Sequence, residues 1–217
     1  MAAQEHERGF FLTFEGNDGT GKSSQAQMLA ARVRATGREV VETREPGGAP
    51  GAEEIRRLLV EGDPERWSPE TETLLFTVAR RDHVERVIRP ALDRGAVVIS
   101  DRYVDSTRAY QAIDAPERRV LVDRLHDLAI GLDPDLTLIF DMDPAVALKR
   151  ASDRLSASHE DRFEKKGAEF QTRLRAAFLA IAAAEPGRCV VIDAADPPET
   201  VAAEVWAAVA HRLGAVR

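Results

Sequence analysis

One cysteine, Cys189, occurs in 217 residues, so no disulfide framework can staple this chain. It lies in the apolar stretch from Cys189 to Ile192 and reads as a buried structural thiol. Long hydrophobic runs are missing too. None approaches the roughly 18 apolar residues of a membrane span, and the charged start from Met1 to Arg8 lacks the apolar core of a signal peptide. The expected location is therefore the cytoplasm, with no membrane partner. Nor is there a basic excess: 37 acidic residues face 30 basic ones, a net charge of −7, which argues against nucleic acid as a partner and for a small ligand. The five histidines (His6, His83, His126, His159, His211) have no metal-ligand spacing and are assigned neither to zinc nor to catalysis.

What is present is concentrated near the start. Gly16-Asn17-Asp18-Gly19-Thr20-Gly21-Lys22-Ser23 fits the phosphate-binding pattern GxxxxGK[ST] and leads into Ser24. It stands between an apolar run, Phe10 to Phe14, and a helical pattern, Lys22 to Ala35, which is the strand–loop–helix context the motif requires. Glycines let backbone N–H groups converge on an anion, and the helix start adds partial positive charge there. This octapeptide predicts a bound nucleoside triphosphate, with Lys22 reaching its β and γ phosphates and Ser23 ligating Mg²⁺.

Short apolar runs alternate with longer periodic segments along the rest of the chain, the pattern of an α/β fold built on a parallel sheet. Strands are expected at Glu39 to Glu42, Ala96 to Ser100, Leu136 to Phe140 and Val190 to Ile192. Helices are expected at Gly51 to Val60, Pro69 to Arg94, Glu117 to Ile130, Pro144 to Arg154, Phe163 to Ala184 and Pro198 to Leu213. The reading is a five-stranded parallel sheet with helices on both faces, in one domain spanning residues 1–217. The polar, charge-mixed stretch from Leu155 to Lys166 reads as a surface loop or lid.

Ligands of such sheets collect outside the carboxyl ends of the strands. After the second strand comes Thr43-Arg44-Glu45-Pro46-Gly47-Gly48, after the third Asp101-Arg102-Tyr103, and after the fifth Asp193 to Pro197, a candidate base-holding loop. The phosphate loop alone accommodates a triphosphate, so Arg44 and Arg102 suggest a second anionic ligand, gripped by guanidinium forks. Asp141 and Asp143 alternate at a strand end, point to opposite sides and read as cap or turn residues.

Together, Phe14-Glu15-Gly16-x-Asp18-Gly19-x-Gly21-Lys22-Ser23, Arg44-Glu45-Pro46-Gly47-Gly48, Phe76-x-x-x-Arg80, Asp101-Arg102-Tyr103 and Ser106-Thr107-x-Ala109-Tyr110-Gln111 resemble bacterial thymidylate kinase. The resemblance covers nearly the whole chain. It implies a P-loop kinase fold, transfer of the γ-phosphoryl of ATP to dTMP in dTTP biosynthesis, and a homodimer. It also implies site roles. Asp18, an awkward charge beside an anion, would accept a hydrogen bond from the deoxyribose 3′-OH. Arg102 and Arg44 would clamp the dTMP phosphate, with Pro46 in the same loop and Arg56 a third candidate. Phe76 and Arg80, four apart on one helix face, would stack on thymine and donate to a base carbonyl. Thr107 and Gln111 would read the pyrimidine edge, while Tyr103 and Tyr110 would crowd a ribose 2′-OH. Asp101 either supports the Mg²⁺ shell or partners Arg102 or the backbone.

Some members of that family carry a catalytic arginine in the phosphate loop. Here Gly19 follows Asp18 and the loop holds no arginine, which implies the type whose lid, residues 150–166, supplies the charge. Arg154 and Arg162 are the preferred catalytic pair beside Lys22, Asp18 and Arg102, with Arg150 on the ATP side and Glu164 near the acceptor. A general base is not required, because the acceptor is itself a phosphate oxygen. Other functions fit the sequence less well. A deoxynucleoside kinase, the closest alternative, would want a general-base carboxylate after the second strand, where the Arg-Glu-Pro-Gly-Gly segment stands. Another nucleoside monophosphate kinase is its neighbour. A regulatory GTPase needs an Asn/Thr-Lys-x-Asp segment, which four lysines do not provide, and a noncatalytic ATP-binding module would lack lid arginines.

Overall fold

A computed structural model describes residues 8–63, 66–154 and 167–215, with backbone alone for 151–154 and 215. Five strands form one parallel sheet: β1 (Phe10–Gly16), β2 (Val40–Arg44), β3 (Val97–Asp101), β4 (Leu136–Asp141) and β5 (Cys189–Asp193), in the spatial order β2-β3-β1-β4-β5. β1 is central and every residue of it is buried, because helices cover both faces and a strand buried on both faces needs no polar alternation. Its side chains still alternate. Leu12 and Phe14 join Leu29 and Val33 of α1 (Lys22–Arg34) and Val205 and Val209 of α9 (Pro198–Ala215) in one core. Phe11 turns the other way and packs with Ile88, Leu92, Val98, Tyr103 and Val122.

The other helices are α2 (Pro50–Val60), α3 (Pro69–His83), α4 (Arg89–Asp93), α5 (Val104–Ala112), α6 (Arg118–Ala129), α7 (Pro144–Arg154) and α8 (Gly167–Ala184). The segment expected as one helix from Pro69 to Arg94 is interrupted by a π turn, Val84–Ile88, in which Arg89 N–H reaches back to Val84 O. Pro90 explains it: the ring has no N–H and collides with the carbonyl four residues back, so the turn widens. Strand two runs from Val40 to Arg44 rather than from Glu39 to Glu42, since its pairing with β3 continues to Asp101. The described part of α8 begins at Gly167; the lid loop 155–166, including the expected helix start at Phe163, lies outside the described residues. Cys189 is buried at the start of β5.

A buried charge cluster fixes α5 to the sheet. The Asp105 carboxylate is fully buried and accepts hydrogen bonds from Arg108 (2.9 Å) and Arg188 (2.6 and 3.1 Å). Arg188 also donates to Thr137 Oγ1 of β4 at 2.6 Å, so α5, β4 and the residue entering β5 share one network. Removing Asp105 would strip both guanidinium groups of their shared buried counter-charge, leaving Arg108 with Asp123 and Arg188 with Glu185, a costly change in a low-dielectric interior.

Candidate active site

The parallel register brings the strand ends together: Phe14 of β1 and Arg44 of β2 both stand level with Asp101 of β3. From β1 the chain enters the phosphate loop, which is held from behind. The Asn17 amide donates to the backbone and side-chain oxygens of Gln171 on α8, each at 2.9 Å, and Thr20 Oγ1 donates to Asn17 O at 2.9 Å. Lys22 is buried at the first residue of α1 and donates to Asn17 O at 2.7 Å. The first turn of a helix leaves its backbone N–H groups without intrahelical partners, so α1 presents donors and partial positive charge to this loop. Gly19 lies at φ 85°, and a Cβ there would meet Ala147 O of α7 at 2.0 Å. No side chain, an arginine included, fits at position 19 in this loop conformation.

Ser23 Oγ donates to Asp101 Oδ2 at 2.5 Å, which joins the start of α1 to the end of β3. A hydroxyl and a carboxylate in contact suit Mg²⁺, a cation that takes one or two protein oxygens and fills its octahedron with phosphates and water. Among the described residues no group of three or more His, Cys, Asp or Glu side chains is placed to hold a metal ion.

Arg102 follows β3 in a left-handed conformation, φ 70°, rare for a residue with a side chain. The turn aims its guanidinium back at the phosphate loop, where it pairs with Asp18, donates to Ser106 Oγ at 2.9 Å and lies over the Tyr110 ring at 5.4 Å. Burial alone would raise the Asp18 carboxyl, but Arg102 and Lys22 outweigh it and hold it at about 2. The charge that seemed misplaced beside an anion is thus neutralised by two cations. Burial and the neighbouring Arg102 push the Lys22 ammonium down to about 8.

Across α3 and α5 a second group converges. Arg80 is buried and donates to Glu45 Oε2 (2.7 Å) and Thr107 Oγ1 (2.9 Å), and Gln111 donates to Glu72 at 3.3 Å. Phe76, half-buried, stands between Glu72 and Arg80 on that helix face. Arg44, by contrast, is exposed and 3.4 Å from Glu53, while Arg56 donates to Pro46 O at 2.6 Å. At the opposite sheet edge Arg150 of α7 donates to Ala194 O in the loop after β5 at 3.2 Å, and Gln25 of α1 donates to Pro198 O at the start of α9 at 2.8 Å.

Comparison with known proteins decides the family. The thymidylate kinase family model matches residues 14–205. Over 199 residues the chain is 61% identical to the thymidylate kinase of Dinoroseobacter shibae, covering 92% of this chain and 95% of the relative. It is 56% identical to that of Ruegeria pomeroyi over 209 residues, covering 96% and 98%. The crystal structure of thymidylate kinase from Ehrlichia chaffeensis superposes with a TM-score of 0.76 at 33% identity, covering 93% of this chain and 99% of that one. The chain belongs to the thymidylate kinase family. These matches offer no support for a deoxynucleoside kinase.

Within this thymidylate kinase fold the structure brings together most of the expected site: the phosphate loop, Asp101 and Arg102 at adjacent strand ends, and Phe76, Arg80, Thr107, Tyr110 and Gln111 on the facing helices α3 and α5. One expectation is corrected. The Tyr103 ring cannot crowd a ribose: it is completely buried against Phe11 (5.0 Å between ring centres), and its hydroxyl donates to Leu132 O at 3.0 Å. Asp143 caps α7 through Ala145 N–H at 2.8 Å, in keeping with the cap or turn reading, whereas Asp141 instead forms a two-pronged ion pair with Arg175 of α8 at 2.6 and 2.8 Å. Arg162 and Glu164 lie outside the described residues, as does the Arg154 side chain.

Three buried residues behind the site are not evident as site residues from the sequence. Glu15 accepts hydrogen bonds from Tyr103 N–H (2.8 Å) and Ser106 Oγ (2.6 Å), and burial together with Asp105 pushes its carboxyl up to about 8. Glu45 links Arg80 to His83 Nδ1 (3.0 Å), and His83 Nε2 lies 2.6 Å from Thr43 Oγ1. A glutamate inside a run otherwise reading as buried strand is the available signal.

Proposed function

We propose that this chain transfers the γ-phosphoryl group of ATP to dTMP, giving ADP and dTDP, a step of dTTP biosynthesis in the cytoplasm. The observation that carries the reading is the Arg102–Asp18 pair: the arginine that follows β3 reaches across to the phosphate loop, so groups suited to a second phosphate stand beside those suited to a triphosphate. ATP occupies Gly16 to Ser24, with Lys22 at the β and γ phosphates and Arg150 on the nucleoside side. Ser23 and Asp101 would hold Mg²⁺, partly through water, and the ion would offset the charge of the phosphate groups.

dTMP lies between α3 and α5. Arg102 clamps its phosphate, assisted by Arg44 and Arg56 from the Pro46 loop. Asp18 accepts from the 3′-OH, Phe76 stacks on thymine, and Arg80, Thr107 and Gln111 address the base edge. Tyr110, its hydroxyl 3.4 Å from Asp18 Oδ2, limits room at the sugar. Phosphoryl transfer needs alignment and charge stabilisation more than proton abstraction, because the attacking atom is already an anionic oxygen. With position 19 closed to any side chain, the catalytic charge comes from Arg154 and Arg162 of the lid. The working unit is a homodimer. Support lies in the exposed apolar side chains Leu74 and Val78 on α3 and Val120 and Leu128 on α6, two helices in contact with each other. An ADP-release assay with dTMP and thymidine as rival acceptors tests the reading, which requires dTMP to be preferred.

A further inference from the structure

At the carboxyl end of β1, immediately before the phosphate loop, the Glu15 side chain is completely buried. A carboxylate in such a place needs a partner for each oxygen. Oε1 accepts Tyr103 N–H at 2.8 Å and Oε2 accepts the Ser106 hydroxyl at 2.6 Å. A serine hydroxyl has one proton to give. With Glu15 ionised, above the value of about 8 to which burial raises it, that proton is committed to the carboxylate and Ser106 Oγ can only accept: it accepts Arg102 Nη1 at 2.9 Å. The second arm of the same guanidinium closes on Asp18. The result is a chain with a fixed direction, in which Arg102 donates to Ser106 and Ser106 donates to Glu15. The nearby carboxylate of Asp105 is occupied by Arg108 and Arg188 and accepts from Thr137 Oγ1 at 3.4 Å.

The backbone is bracketed in the same way. Arg102 N–H donates to Phe14 O at 3.0 Å and Tyr103 N–H donates to Glu15, so both peptide groups flanking the left-handed residue 102 are tied to β1. We propose that Glu15 is a positioning residue for the acceptor nucleotide: by fixing the Ser106 hydroxyl and the Tyr103 peptide, it aims the Arg102 guanidinium at the acceptor phosphate. The proposal rests on the acceptor reading given above.

Glu15→Gln keeps the shape of the side chain and removes the direction of the chain. Its amide offers one acceptor and one donor, so in either orientation Tyr103 N–H or the Ser106 hydroxyl loses its acceptor. Initial-rate kinetics on purified Glu15→Gln at about pH 9, where Glu15 of the parent is ionised, should show the dTMP KM raised about tenfold or more, the scale of losing a hydrogen bond to a charged group. The ATP KM should stay within about twofold of the parent. Ser106→Ala should reproduce the dTMP effect, Ser106→Thr should restore most of it, and the double variant Glu15→Gln/Ser106→Ala should lose no more than the worse single one. A general structural role would raise both substrate constants and leave the two losses additive. If Glu15→Gln does not fold, Ser106→Ala decides alone. A parent that phosphorylates dTMP, with a folded variant whose dTMP KM is unchanged or whose ATP KM rises equally, overturns the role of Glu15. A parent that shows no dTMP-dependent ADP release overturns the acceptor reading beneath it.

Discussion

Gly19 and Gly37 share a φ of 85° and differ in what surrounds them, which makes them a matched pair. A Cβ at Gly37 meets nothing within 4 Å, whereas one at Gly19 meets Ala147 O at 2.0 Å. Gly37→Ala should therefore cost only the left-handed strain of a side-chain-bearing residue, roughly 1–2 kcal/mol. At this chain length each kcal/mol lowers Tm by about 2–4 °C, so the expected loss is about 2–8 °C. Gly19→Ala carries the same strain plus a collision. Reaching the 3.4 Å of an ordinary contact requires the loop and α7 to separate by about 1.4 Å. Ala147 is buried and its N–H is held by Asp143 O at 3.0 Å, so α7 cannot yield cheaply. Overpacking of this kind adds roughly 1–3 kcal/mol. Gly19→Ala should thus lose about twice as much Tm as Gly37→Ala in calorimetry. Because a displacement near 1 Å in a positioning element costs about 100-fold in rate, its kcat/KM for ATP should fall about 10- to 100-fold while that of Gly37→Ala is unchanged. Equal Tm losses, with ATP kinetics of Gly19→Ala within twofold of the parent, would refute the packing argument.

Other outcomes follow from the same geometry. Arg102→Ala should raise the dTMP KM by about 10- to 100-fold, the scale of a lost charge-assisted contact, and leave ATP binding nearly unchanged; equal losses in both would remove Arg102 from the acceptor clamp. Arg154→Ala and Arg162→Ala should each lower kcat about 100-fold with little change in either KM, and an unchanged kcat in both would place the catalytic charge elsewhere. Burial and Arg102 depress the Lys22 ammonium to about 8, and an incoming triphosphate favours the protonated amine. ATP binding at pH 8.5 should therefore take up a proton, and affinity should fall as pH rises past about 8; calorimetry in two buffers of different ionisation enthalpy reads both, and no uptake would contradict the depressed value. Sedimentation should give about twice the 23.9 kDa chain mass, and a species at the chain mass itself at assay concentrations would argue against the dimer.

Much of the fold is legible in the amino-acid sequence alone. All five strands lie within two residues of where the apolar runs place their ends; for β1, β3 and β4 this is because burial on both faces writes continuous apolar runs, and the phosphate loop carries its own spacing signature. Arg102 is legible because the residue after a parallel strand faces the ligand edge. The strand order is not, since periodicity specifies which face is buried and says nothing of which strand is the neighbour. The break at Val84 is hidden by a helical period that a π turn hardly disturbs, although Pro90 is the clue. Tyr103 departs from its expected place because the left-handed turn at Arg102 sends consecutive side chains opposite ways, one to the site and one to the core. Glu15 and Glu45 are assigned no role from the sequence because, although a glutamate in a buried run can be noticed, the partners that define its role reveal themselves only through three-dimensional contacts.

The central claim is that a phosphate acceptor, dTMP, stands opposite ATP in this fold. A coupled assay of ADP release with dTMP, dUMP, dCMP, dGMP, UMP and thymidine offered separately, at fixed ATP and Mg²⁺, tests it most directly. The account predicts the highest kcat/KM with dTMP and little turnover with thymidine. Thymidine outperforming dTMP, or no monophosphate stimulating ADP release, would contradict it.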